Sequence, residues 1–384
     1  MSTESSKSTD AASGLYHRVV VKAGTAVLTS GNSSLDASMM ARLVDQLAQL
    51  RRMGMEVLLV TSGAIAAGRD ALGQPRERRD VPFRQVMAAV GQGRLMHTYQ
   101  ELFSTHDITV AQALLTRADI DDRQGYLNVR DSLLGLLEAG VVPIINENDV
   151  VAVEEIGAEV FGDNDTLSAL VSNLVDADLL VILTDTPGLY TADPSLHPEA
   201  RLIPRVEKVD QAITDLAKEE ERHPWSRGGM ATKLEAARLA TSWGVAVVIA
   251  GGDEKDILSD IVTGKEHGTF FTPGASKMES RRRWLLSGLS TRGEIIVDDG
   301  ASLALLAHNR SLLPAGVKEV RGVFNRHDAI LIIDAQGEKI ACGVTNYSSV
   351  EVTAIKGLHS DRIQDVLGHR YGDEIVHRNN LALL

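Results

Sequence analysis

Val19-Val20-Val21-Lys22-Ala23-Gly24-Thr25 begins as an unbroken apolar run and ends on a lysine, a glycine and a hydroxyl. A strand buried on both faces of a parallel sheet reads as such a run, and open α/β sheets bind ligands outside the carboxyl ends of their strands. The same grammar returns twice. Val57-Leu58-Leu59-Val60 runs into Thr61-Ser62-Gly63-Ala64, and Val142-Pro143-Ile144-Ile145 runs into Asn146-Glu147-Asn148-Asp149. Gly162-Asp163-Asn164-Asp165 adds a fourth polar stretch. Together they predict one ligand crevice shared by several strand ends, and an enzyme.

Outward from these loops, the runs Val110–Ala113, Leu179–Leu183 and Val245–Ala250 alternate with amphipathic stretches, the signature of βαβ units and a mostly parallel sheet. Met39, Leu43, Leu47 and Leu50 recur at three- and four-residue spacing and predict a helix from Asp36, its N-cap, to Met53, with Gly54 just beyond its end. Further helices are expected over about 84–103 and from Gly229 to Trp243. After Arg281-Arg282-Arg283-Trp284 the runs shorten to Gly293–Val297, Val317–Arg321, Ala329–Ile333 and Lys339–Val344. Asp334-Ala335-Gln336-Gly337 marks a hairpin between the last two. The tail therefore reads as a small β-rich domain.

Composition narrows the function. A chain of 384 residues is long for one core, and no apolar run approaches the roughly 20 residues that span a bilayer. The net charge of −13 argues against nucleic acid or an anionic membrane as the main partner. Residues 292–384 hold 10 basic and 12 acidic residues, so the acidity belongs to the α/β part. The single cysteine, Cys342, excludes an intrachain disulfide, fits a reducing cytoplasm, and reads as a small core residue. The eleven histidines are scattered without metal-ligand spacing, and neither a Walker A loop, a G-x-G-x-x-G fingerprint nor a G-x-S-x-G elbow occurs.

What remains is anion chemistry. Lys22 beside Gly24 can set an ammonium against a phosphate, or be a solvated turn lysine. Ser62-Gly63-Ala64 enters a small-residue helix start whose free amides suit an anion, or whose small side chains serve close packing. Asn146, Asn148, Asp149, Asp163, Asn164 and Asp165 crowd two loops that flank an apparent hairpin over about 150–161; their spacing is not an EF-hand. Thr184-Asp185-Thr186-Pro187-Gly188 follows a strand and reads either as a nucleotide clasp or a Pro-Gly turn. Gly228-Gly229-Met230-Ala231-Thr232-Lys233 opens a helix with the physics of a phosphate cradle.

In order and spacing these six motifs resemble the amino acid kinase family, and within it the glutamate 5-kinases; the tail from about Thr291 resembles a PUA domain. The resemblance spans roughly residues 16–384. Ala23, Ala26 and Ser226-Arg227 depart from the usual pattern, and Arg227 either adds a phosphate contact or faces solvent. Met1–Ser13, rich in Ser, Thr, Lys and Asp without an apolar core, reads as a disordered tail, set at 1–15, and the resemblance implies an amino acid kinase domain over 16–275, a linker over 276–290 and a PUA domain over 291–384. The kinase domain would be a three-layer αβα sandwich around a mostly parallel sheet, and the PUA domain a small β-rich barrel. It implies ATP-dependent phosphorylation of the side-chain carboxylate of L-glutamate, with Mg2+, as the first step of proline biosynthesis. Lys22, Lys233 and Asp165 would be catalytic, and Ser62, Asn146, Asp149 and Asn164 would hold glutamate. ATP would lie on Lys22, Gly24, Thr184, Asp185, Arg227, Gly228, Gly229, Met230, Ala231, Thr232 and Lys233, with no metal bound directly. Proline would inhibit, and the enzyme would be a cytoplasmic homo-oligomer, dimer or tetramer. A sister kinase for acetylglutamate, aspartate, carbamate or UMP would share the lysines and glycine loops. RNA binding is a separate reading, prompted by the PUA-like tail; the net −2 of that segment gives little electrostatic footprint, though Lys277, Arg281, Arg282 and Arg283 form a basic cluster before it.

Overall fold

The computed structural model describes residues 15–73, 81–151, 164–194, 196–218, 229–274, 292–308 and 310–384. Gly162, Asp163, Ser226, Arg227, Gly228, most of the expected 150–161 hairpin, the tail before Leu15 and the expected linker lie outside them. The chain divides into two compact units at Gly274.

The first unit is built on an eight-stranded sheet in the order β3-β4-β2-β1-β5-β7-β8-β6. The strands are β1 (Arg18–Ala23), β2 (Glu56–Thr61), β3 (Val110–Leu115), β4 (Val142–Glu147), β5 (Leu179–Thr184), β6 (Arg205–Val206), β7 (Ala246–Gly251) and β8 (Thr269–Phe271). All pairings are parallel except β7 with β8. β1 lies at the middle between β2 and β5, with Ala23 opposite both Thr61 and Leu183. The carboxyl ends of β1, β2, β4, β5 and β7 therefore share one edge of the sheet, where the chain first leaves toward β2 and later returns toward β5.

The apolar runs explain the layers. Val19 and Val21 face one core with Val57, Leu59, Val181 and Leu183, whereas Val20 faces the other with Leu58, Val60, Leu180 and Ile182. Alternate residues of a strand point to opposite faces, so a run with no polar break buries both. Helices α1 (Thr25–Thr29), α2 (Ala37–Arg52), α3 (Ala64–Ala71), α4 (Val81–Ser104) and α10 (Ile257–Val262) cover the first face. The second is covered by α5 (Arg117–Asp121), α6 (Arg123–Glu138), α7 (Asn164–Leu174), α8 (Gln211–Lys218) and α9 (Met230–Ser242). This is a three-layer αβα sandwich. Asp36 caps α2 by accepting from the Ser38 and Met39 amides, and Gly54 follows its end at φ +85°.

One crossing sets the shape of the site. A Cβ at Gly91 of α4 would lie 1.8 Å from the Ala64 carbonyl oxygen of α3, and one at Gly68 would lie 1.9 Å from that of Met87. The two helices touch backbone to backbone, so α4 is pinned where it passes the end of β2.

The second unit carries a five-stranded mixed sheet in the order β10-β9-β11-β12-β13. Its strands are β9 (Gly293–Val297), β10 (Val317–Gly322), β11 (Ala329–Ile333), β12 (Lys339–Val344) and β13 (Leu381–Leu383). Its core is separate, built on Ile295, Phe324, Ile330, Tyr347 and Val352 among others. Asp334 accepts from the Gln336 and Glu338 amides in the expected β11–β12 hairpin, and Cys342 is buried in β12.

Candidate active site

The buried end of the site is a charge cluster around Asp165. Lys22 Nζ meets Asp165 Oδ1 at 2.5 Å, and Lys233 Nζ meets Oδ2 at 3.3 Å. The Thr232 hydroxyl donates to the same Oδ2 at 3.0 Å. Asp165 is fully buried, while Lys22 and Lys233 are 3% and 6% exposed. Three elements converge to make this contact: the end of β1, the first turn of α7 and the first turn of α9, with α7 packed on α9. Removing one partner from a buried charge group leaves the others uncompensated, so the cluster stands only as a whole.

Two glycines shape the surroundings. A Cβ at Gly24 would come within 3.2 Å of Lys22 Nζ, so the bare backbone there leaves room for the ammonium. Gly63, at φ +103°, turns the chain into α3, and Gly229 does so in extended backbone into α9; neither helix start has a side-chain cap. Two sets of helix N-terminal amides, two lysines and one carboxylate make a locally positive spot in an acidic protein. Met230, Ala231 and Thr232 form the first turn of α9, with Met230 buried. Thr184 ends β5 beside β1 and donates to the exposed Asp185 at 3.0 Å, while its own carbonyl accepts from Gly252. The Thr186 hydroxyl is buried without a partner among the described residues.

The other end is a cavity of about 340 Å³, in the range of small-molecule sites. Ser62, Asn146, Asp149 and Asn164 all line it, as the sequence led one to expect of a single crevice. Asn164 is the first residue of α7, one position before Asp165, so adjacent residues serve the two ends. Its Nδ2 donates to Ser62 Oγ at 2.9 Å and to Asn146 Oδ1 at 3.1 Å. Burial pushes the Asp149 carboxyl up, and nearby Arg84 works against that shift.

Sequence reasoning missed the wall opposite these loops. Arg69 of α3 and Arg84 of α4 also line the cavity. Arg84 sits in the first turn of α4, the end at which a cation opposes the helix dipole, so its position there serves the cavity rather than the helix. Gln92 of α4 holds Asn146 from behind, with Oε1 accepting from Nδ2 at 2.8 Å. Gln85 donates to the Val150 carbonyl at 3.0 Å, tying α4 to the turn that bears Asp149. The one signal in the sequence was Gly91-Gln92-Gly93, a glycine-flanked amide inside a helical pattern.

Both Asp165 oxygens are engaged, and among the described residues no group of three His, Cys, Asp or Glu side chains is placed to hold a metal. No described helix is long and apolar enough to cross a membrane.

The sequence profile of the amino acid kinase family matches residues 17–251, and that of the PUA domain matches residues 293–367. A glutamate 5-kinase of Dehalococcoides mccartyi is 53% identical over 369 residues, covering 96% of this chain and 99% of its own. Those of Herpetosiphon aurantiacus and Shewanella pealeana are 50% and 49% identical, each covering 96% of this chain and 98% of its own. The chain is a kinase that belongs to the glutamate 5-kinase branch of the amino acid kinase family and carries a PUA domain after its kinase domain.

Proposed function

We propose that this enzyme transfers the γ-phosphoryl group of ATP to the side-chain carboxylate of L-glutamate, giving L-glutamyl 5-phosphate and ADP, and so opens proline biosynthesis. One observation carries the reading: the Lys22–Asp165–Lys233 cluster adjoins, through Asn164, a cavity walled by amides, Asp149 and two arginines. The relatives named glutamate 5-kinase, nearly full length at about half identity, support it.

A γ-carboxylate oxygen attacks the γ-phosphorus, the bond to the bridging oxygen breaks, and its electron pair stays on the ADP β-phosphate. No general base is needed, because a glutamate side chain is ionised at neutral pH. Such transfer depends on positioning and charge neutralisation. Lys22 and Lys233 would brace the phosphoryl oxygens from either side, with Asp165 and Thr232 fixing both. Amides at Gly24 and Gly63 would face developing charge. Thr184, Asp185, Gly229 and the first turn of α9 at Met230 and Ala231 would hold the nucleotide. At the other end Asp149 and the Asn164 carbonyl, whose Oδ1 is buried without a partner among the described residues, suit the substrate ammonium. Ser62, Arg69 and Arg84 suit its carboxylates. Magnesium would arrive on the nucleotide phosphates and keep several waters.

ADP release measured with a panel of amino acids tests the reading. Glutamate alone should support turnover; turnover with aspartate or acetylglutamate but not glutamate would overturn it. Proline, placed by this reading in the glutamate pocket, should inhibit less as glutamate rises. Inhibition that ignores glutamate concentration would put proline elsewhere.

A further inference from the structure

The amide groups around the cavity form a chain with a direction. Gln92 Oε1 accepts from Asn146 Nδ2 at 2.8 Å, and Asn146 Oδ1 accepts from Asn164 Nδ2 at 3.1 Å. The second Nδ2 hydrogen of Asn164 goes to Ser62 Oγ at 2.9 Å. A primary amide has a donor end and an acceptor end, so fixing the orientation of one member fixes its neighbours. Asn146 is 2% exposed, too buried for water to substitute for either bond.

The two ends of the chain are left open in opposite senses. Asn164 Oδ1 is a buried acceptor without a partner among the described residues, and Gln92 Nε2 is a buried donor in the same position. Turned over as a unit, the chain would show the cavity an NH2 instead of a carbonyl. A carbonyl attracts a substrate ammonium; an NH2 attracts a carboxylate. The chain also decides Ser62: its oxygen accepts from Asn164, which directs its own proton elsewhere, and Ser62 lines the cavity.

We infer that Gln92 is a positioning residue that holds the amide chain with the Asn164 carbonyl toward the substrate, and so favours an amino acid over the same diacid without its amino group. The inference rests on the glutamate reading above. The glycine crossing at Gly68 and Gly91 gives it its rigidity, because Gln92 follows the residue at which α4 touches α3. A side chain anchored there can impose an orientation on Asn146 rather than follow it.

The test compares L-glutamate as substrate with glutarate, which lacks the amino group, as competitive inhibitor. Three purified full-length enzymes are needed: wild type, Gln92→Met, which removes the acceptor at similar volume, and Gln92→Glu, which keeps an acceptor and removes the donor. Gln92→Met should raise KM for glutamate about tenfold, leave KM for ATP and kcat within about threefold, and leave Ki for glutarate nearly unchanged. Gln92→Glu should restore KM for glutamate to within about threefold of wild type. Equal weakening toward glutamate and glutarate, or no rescue by Gln92→Glu, would overturn the inference and leave glutamate as the substrate. Should Gln92→Met fail to fold, Gln92→Lys, which sets a donor where the acceptor stood, should lose the same preference for glutamate over glutarate. A wild-type enzyme that releases no ADP with glutamate would remove the substrate reading first, and the inference with it.

Discussion

Asp165 and Asn164 are neighbours at the start of one helix, yet they head regions built on opposite plans. Around Asp165 each oxygen has a partner within the protein, and the group is sealed from solvent. Around Asn164, which lines the cavity, a buried acceptor has no partner among the described residues, and Asp149 carries a carboxyl that burial makes reluctant to ionise. The first region is finished before any ligand arrives; the second is completed by one. A group that must neutralise charge as it moves gains from being set in advance, whereas a pocket that selects gains from polar atoms only the right molecule satisfies.

The contrast is tested most severely at its finished end. Asp165→Ala leaves two buried ammonium groups facing each other and should lower unfolding stability by about 3–5 kcal/mol, measured by denaturant titration. Stability equal to wild type would show that the cluster is not a unit. Lys22→Ala or Lys233→Ala should lower kcat by at least ~100-fold, on the scale of losing one preorganised donor. Near-normal turnover would take that lysine out of the reaction.

The open end should respond in affinity instead. Asp149→Ala should raise KM for glutamate about tenfold or more while KM for ATP stays within about twofold, the scale of one charged hydrogen bond lost. Equal effects on both substrates would erase the division between the two regions. The smallest expected effect is a shift in pH dependence. Because burial raises the Asp149 carboxyl, its ammonium-binding form is lost as pH falls through a value above that of an ordinary aspartate, and KM for glutamate should climb from there. Arg84 opposes the shift, so Arg84→Gln should move the onset to higher pH. An onset that stays put or moves down in that variant would separate Arg84 from Asp149.

The finished region was also the more legible one. Val19–Val21 announced a strand buried on both faces, and a lysine or glycine at such a strand end carries its meaning in the local sequence. Lys22, Lys233 and Asp165, far apart in the chain, meet in one cluster. The open region was half legible. Ser62, Asn146 and Asp149 follow strands and could be read from them, but Arg69, Arg84 and Gln92 lie inside helices, where polar residues usually face solvent. Arg69 and Arg84 reach the cavity, and Gln92 reaches Asn146 behind it, only through the packing of α3 on α4, a contact with no local signature beyond Gly68 and Gly91. The antiparallel strand β8 escaped for a related reason: three residues are too few to show a period.

That same helix crossing reverses a common rule of protein engineering. Replacing a helical glycine by alanine normally stabilises a fold by roughly 0.5–1 kcal/mol through the entropy of the unfolded chain. At Gly93 and Gly135 nothing among the described residues lies within 4 Å of an added Cβ, and a thermostability programme would benefit there. Two residues from Gly93, alanine at Gly91 would meet a carbonyl oxygen that cannot yield, and the helix bearing Arg84 and Gln92 would be levered off its neighbour. For this protein the heat-hardening substitution and the one that dismantles substrate selection lie half a helical turn apart.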